Sequence, residues 1–215
     1  MKSKARAARL STKLLAVTLL VGTLALSADV AAQDLKAETS AVLVRQLGER
    51  DAQTRREAAE ELARRVAVEH QRLVEGYRMQ EGDARVRLAL DWALYRMGKS
   101  QALFEVVRGL ESDSRYEQSL SYLAQLETPA PLHVFLKRLS GKTQSRLIEA
   151  LARVGDASTL EELKPFIESS DPLVSEAAKF AEREINIRLE EQPASDEVQR
   201  QRRTNDTPEE EEPPV

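Results

Sequence analysis

Three columns of apolar residues recur at one interval. Leu103, Leu132 and Leu160 lie 29 and 28 residues apart, and so do Val106, Phe135 and Leu163, and Leu110, Leu139 and Ile167. A fixed period of this length marks a repeat architecture, in which each unit buries its apolar face only against its neighbours. Between Leu35 and Leu189 the apolar spacing is helical, and alternation at period two is absent. Eight glycines and eight prolines in 215 residues are too few for an all-β chain built on tight turns. The repeats are therefore pairs of helices, and the fold class expected is all-α, an α-solenoid.

The second helices align as well. Val86 to Met97-Gly98 lies over Thr143 to Val154-Gly155, with Ala93-Leu94 over Ala150-Leu151. Extending the register predicts five helix pairs near 35–66, 67–98, 99–126, 127–155 and 156–190. Asp51, Asp83 and Asp171-Pro172 stand where N-caps belong, with Pro172 at the first helical position. Ser114-x-x-Glu117 and Ser158-x-x-Glu161 have the spacing of capping boxes. Gly48, Gly98, Gly141 and Gly155 fall at expected helix ends. With only 9 aromatic residues, the core has to be built from Leu, Val and Ala, and Ala58, Ala59, Ala89, Ala93, Ala177 and Ala178 allow close approach of neighbours.

Two of the second helices carry a more specific pattern. Val86-Arg87-x-Ala89-Leu90-x-x-Ala93-Leu94-x-x-Met97-Gly98 resembles the second helix of a HEAT repeat, as does Leu173-Val174 through Ala177-Ala178, Ala181 and Ile185. Pro165 matches the proline that such repeats often carry in their first helix. The resemblance spans nearly all of residues 35–190, with repeats three and four lacking the Val-Arg pair. It implies an α-solenoid whose second helices line a concave surface, and it implies no particular activity.

The two ends read differently from the middle. Lys2, Lys4, Arg6, Arg9 and Lys13 precede the apolar run Leu14 to Leu26, which is short of the roughly 20 residues that span a bilayer. Val30-Ala31-Ala32 then offers a cleavage site before Gln33, so residues 1–32 are expected to be a signal peptide and the protein to be exported, periplasmic or secreted. The solenoid is assigned to 33–190. Residues 191–215 combine four prolines with Glu209 to Glu212 and are expected to form a disordered acidic tail, Pro193 stopping the last helix. The formal charge of −4 divides into +4 for residues 1–32, −2 for residues 33–189 and −6 for Glu190 to Val215, so the acidity is concentrated in the tail and the body is nearly balanced. Such a body does not draw polyanions as a whole, so nucleic acid is not an expected partner. Membrane contact is not expected after signal cleavage either.

Catalytic signatures are missing. The absence of cysteine removes thiolate metal sites and cysteine nucleophiles. His70 and His133 are the only histidines, and neither has metal-ligand spacing to a carboxylate beyond Glu69 beside His70. HEAT-like iron hydroxylases repeat a His-Glu pair several times, which this chain does not. No phosphate-binding glycine loop or nucleophile elbow occurs. Arg55-Arg56, Arg64-Arg65 and Arg202-Arg203 suggest nucleic acid, but Arg64-Arg65 follow Glu60-Glu61 at one helical turn, the ion-pair pattern of a solvated helix.

These readings lead to a non-catalytic, exported HEAT-like scaffold that binds another protein and needs no cofactor or metal. The second reading is an accessory protein that binds cell-envelope polymer or lipid headgroups, and the third an enzyme with an unrecognised site. With Val86, Ala89, Leu90, Ala93, Leu94 and Met97 turned inward, periodicity places Arg87, Leu88, Asp91, Trp92, Tyr95 and Arg96 on the opposite face. Trp92, Tyr122 and Phe180 share one column of repeats two, three and five, with Glu61 and Glu149 between them. This column is the expected partner-binding surface, unless its rings wedge between helices as core.

Overall fold

A computed structural model describes the backbone of residues 39–205 and the side chains of 39–191. The expected signal peptide, the pair Arg202-Arg203 and the acidic run Glu209 to Glu212 lie outside the described side chains. Ten α-helices and no strand occur among the described residues, and the fold is all-α. The helices are α1 (39–46), α2 (Ala52–Arg65), α3 (Gln71–Gln80), α4 (Ala84–Arg96) and α5 (Leu103–Arg108), then α6 (Tyr116–Leu123), α7 (Ala130–Leu136), α8 (Gly141–Val154), α9 (Ala157–Ile167) and α10 (Pro172–Asn205). They fall into five successive pairs in the register that the repeat columns predict. The chain divides into two compact units, one through Lys99 and one from Ser100.

In the first unit α4 lies against both α2 and α3, in the α-solenoid manner of second helix beside second helix. Ala58, Ala59 and Ala63 of α2 and Ala89 and Ala93 of α4 are fully buried, which lets the two backbones approach closely. Asp51 caps α2 through the Thr54 amide at 2.7 Å, and Asp83 caps α4 through the amides of Arg85 and Val86. Arg55 forks onto Glu81 at 2.8 and 2.9 Å, holding the Glu81 carboxyl below its ordinary range. Arg64 and Arg65 both pair with Glu61, so these arginines serve the helix surface.

Helices α2 and α4 end in the same motif, 32 residues apart. An amide just beyond each helix reaches back five residues, Ala67 to the Leu62 carbonyl and Lys99 to the Leu94 carbonyl. The residue between is left-handed in both cases, Gly98 at φ 99° and Val66 at φ 52°. A β-branched residue is strained there, with Cβ crowding its own backbone.

In the second unit α8 packs on α10 and α6 on α8, while α5, α7 and α9 pair with the helices that follow them. Of the repeat columns, Leu103, Leu132, Val106, Leu163 and Leu110 are buried, while Leu160, Phe135, Leu139 and Ile167 are partly exposed. Ser175 donates to the Ile167 carbonyl at 2.6 Å, and Asp171 accepts from the Leu173 amide at 3.0 Å at the start of α10. The His133 ring meets Thr159 Oγ1 at 3.0 Å, joining α7 to α9.

Several local expectations are corrected. The capping box of α9 is Asp156 with Thr159, and Ser158 instead donates to the Asp156 carboxylate at 2.6 Å. Helix α6 starts at Tyr116 with no side-chain cap on Arg115, so Ser114 and Glu117 do not form its box. Gly141 opens α8 and does not close α7. Helix α10 continues past Pro193 to Asn205, so Pro193 does not stop it.

Candidate binding groove

The second helices of the last three pairs, α6, α8 and α10, stand side by side and enclose an open groove of about 510 Å³. Ala152 of α8, a short and buried side chain, forms its floor. Tyr116 and Leu120 of α6 make one wall, Phe180 of α10 the other.

The Tyr116 wall is braced from below. Its hydroxyl donates to the Glu149 carboxylate, and the Arg146 guanidinium lies over its ring at 4.3 Å. Arg146 also donates to the Leu110 carbonyl at 2.7 Å and pairs with Asp113. Lys142 adds a contact to Asp113 at 2.7 Å, and these two cations hold the Asp113 carboxyl down at about 2. Burial pushes the Tyr116 phenol up to about 12, reinforced by the carboxylate it donates to. At neutral pH this tyrosine is a fixed donor.

The opposite wall is braced by Arg188. Its guanidinium donates to the carbonyls of Ala152 at 2.9 Å, Arg153 at 2.5 Å and Gly155 at 3.1 Å. Those are orphan acceptors at the C-terminal end of α8, where a cation is also favoured by the helix dipole. A Cβ on Gly155 would stand 2.6 Å from Ile185 Cδ1 and from the Leu151 carbonyl oxygen. Only glycine lets α8 end this close to α10.

Three groove side chains remain uncommitted. Phe180 is 44% exposed. Arg153 and Glu184 are exposed, with no hydrogen-bond or ion-pair partner among the described residues. An aromatic face flanked by one charge of each sign is equipped for noncovalent recognition.

The surface expected from periodicity is placed differently. In α4 the inward set Val86, Ala89, Leu90, Ala93, Leu94 and Met97 is buried, but so are Leu88, Asp91 and Trp92. The reason is that α4 has helices on more than one side, so a second stripe is covered. Asp91 pairs with Arg78 of α3 at 2.8 Å. Trp92 stacks on Tyr95 with centroids 5.6 Å apart, under Arg96 at 5.7 Å, and those two side chains are half-buried while Arg87 is exposed. Tyr122 is buried too, its hydroxyl accepting from Gln118 at 2.7 Å. Leu88, Asp91, Trp92 and Tyr122 are thus buried, and of the three rings of the expected column Phe180 alone is exposed.

Of the aligned column, Phe180 and Glu149 do come together in the groove. Tyr116, Arg153, Glu184 and Arg188 are the residues that sequence reading missed. One signal was available: Glu149 and Arg153 repeat as Glu184 and Arg188 after 35 residues, each at a four-residue step.

No described helix is long and apolar enough to cross a membrane. No protein-family profile matches the chain. No curated protein matches it either. Among solved structures it is similar to a crystal structure of an engineered protein from the Northeast Structural Genomics Consortium, at 19% identity and a TM-score of 0.33, over 68% of this chain and 79% of that one. Likeness of that degree bears on neither fold family nor function.

Proposed function

We propose that this chain is a non-catalytic, HEAT-like scaffold, exported from the cell, that binds another protein through the groove of α6, α8 and α10. The observation that carries the reading is the half-exposed Phe180 between uncommitted Arg153 and Glu184, on a floor of Ala152. Aromatic anchors beside arginine dominate interface energetics, and a concave row of second helices suits an extended or helical segment.

Photocrosslinking tests the reading. A benzophenone amino acid at position 180 of the full chain, in cells, should give a discrete protein adduct. The same probe at Met79, 82% exposed on the first unit, should not give that adduct. Phe180→Ala should weaken binding of the purified adduct partner by about 2 kcal/mol. Adducts confined to envelope polymer or lipid, or identical adducts from both positions, would overturn the proposal.

A further inference from the structure

The outward face of α10 carries a second pattern, continuous with the groove. Leu173, Glu176, Phe180, Glu184, Ile187 and Glu191 follow one another at steps of three or four residues, which puts them on one side of the helix. All six are exposed: Leu173 by 60%, Phe180 by 44% and Ile187 by 51%, with the glutamates open to solvent between them. The stripe therefore alternates apolar and acidic side chains over about 27 Å of helix. Phe180 and Glu184 belong to both stripe and groove.

Few internal bonds use these acids. Glu176 has Lys179 at 3.9 Å, a loose contact on the solvated surface. Glu184 stands one turn before Arg188, but that guanidinium is turned onto the carbonyls at the end of α8. Two exposed cations stand near the stripe, Arg153 in the groove on the neighbouring helix and Arg183 on α10 itself.

We infer that this stripe is the docking face for a basic amphipathic helix of the partner, whose aliphatic residues cover Leu173, Phe180 and Ile187 while its lysines or arginines meet Glu176, Glu184 and Glu191. Charge complementarity selects this occupant. A second copy of the chain would bring the same acidic stripe against this one, setting glutamates against glutamates or against apolar side chains. Either arrangement is unfavourable. A helix with lysines at the matching steps satisfies both kinds of position at once.

The inference rests on reading this surface as a protein-binding one, and the two can fail separately. The probe is a labelled synthetic helix of about 20 residues with leucine and lysine alternating at three- and four-residue steps; the control replaces each lysine by glutamate. Fluorescence anisotropy with the full chain at low salt should show the lysine peptide binding at least about tenfold tighter than the control. Phe180→Ala should weaken it by about 30-fold. Glu184→Lys should weaken it by about tenfold and improve the control peptide, whereas Arg153→Glu should strengthen the lysine peptide. Circular dichroism of each variant establishes that it is folded. Equal binding of the two peptides, or indifference to Glu184→Lys, overturns the inference while leaving the crosslink at position 180 to decide the broader reading. A micromolar dimer in sedimentation that Ile187→Glu dissolves would also overturn it, because the stripe would then be covered by a second copy.

Discussion

Replacing Trp92 by alanine separates an interior indole from a binding one. The side chain is 2% exposed, the largest of the fully buried set, and it lies in α4 among Leu88, Ala89 and Ala93, all buried. Truncating a buried Trp to Ala costs about 3–5 kcal/mol, because the transfer energy is lost and the void closes only in part. The cation–π contact with Arg96 at 5.7 Å adds about 0.5–1 kcal/mol, since that arginine is half-buried. Urea unfolding followed by circular dichroism reads the sum. With a slope of about 2 kcal/mol per molar, the midpoint should fall by about 1.8–3 M. Trp92→Phe keeps a ring against Tyr95 and should lose distinctly less. A loss under about 1 kcal/mol for the alanine variant would refute the interior placement and return Trp92 to the candidate surface. Phe180→Ala is the counterpart, and its midpoint should hardly move, because the ring is already in water over much of its area.

Further outcomes follow from local geometry. Val66→Gly should raise stability by about 0.5–1 kcal/mol, because it removes the left-handed penalty at φ 52° in a motif that α4 closes with Gly98; a drop in the urea midpoint would refute the strain argument. Gly155→Ala should destabilise by about 1–3 kcal/mol through the 2.6 Å approaches to Ile185 and the Leu151 carbonyl, and an unchanged midpoint would show that α8 and α10 yield there. The Tyr116 phenol should ionise late in a 295 nm titration, near pH 12, and Tyr116→Phe should abolish that step. The sign in stability follows from a folded pKa raised above the unfolded one. The contribution of Tyr116 is complete below pH 10 and is lost as pH rises from about 10 to 12, so Tyr116→Phe should flatten that alkaline fall.

The helix pairs were legible because they rest on local periodicity and on residues that act within a few positions of themselves. Asp51, Asp83 and Asp171 bond the amides just downstream of them, and the inward face of α4 is buried position by position as its period requires. The outward face was not legible. A helical period assigns one buried stripe, and a helix with neighbours on two sides buries two, so Leu88, Asp91 and Trp92 followed contacts that no local window contains. The α9 cap failed for a different reason: Asp156 and Ser158 are two residues apart, both plausible, and the ionised acceptor took the amide while the serine became its donor. Tyr116 was invisible as a wall because what orients it, Arg146 and Glu149, lies 30 and 33 residues away.

The groove's free charges have an origin in the same long-range bonds. Helices α8 and α10 each carry Glu then Arg at a four-residue step, Glu149 with Arg153 and Glu184 with Arg188. Such pairs on a solvated helix gain about 0.3–0.5 kcal/mol by bonding to each other. Better offers exist here: Glu149 takes the Tyr116 hydroxyl, and Arg188 satisfies three carbonyls at the end of α8. Hydrogen bonds to charged groups contribute about 1.5–3 kcal/mol each, so both pairs are split in favour of the interior. The discarded halves are one arginine and one glutamate, on neighbouring helices, either side of Ala152 and beside Phe180. Tightening the stack of second helices is thus the step that strands Arg153 and Glu184 in the groove. Glu184→Ala should accordingly leave stability nearly unchanged, while Arg188→Ala, which leaves those carbonyls without their donor, should cost about 1–3 kcal/mol. Equal losses from the two substitutions would show that Glu184 and Arg188 pair with each other after all.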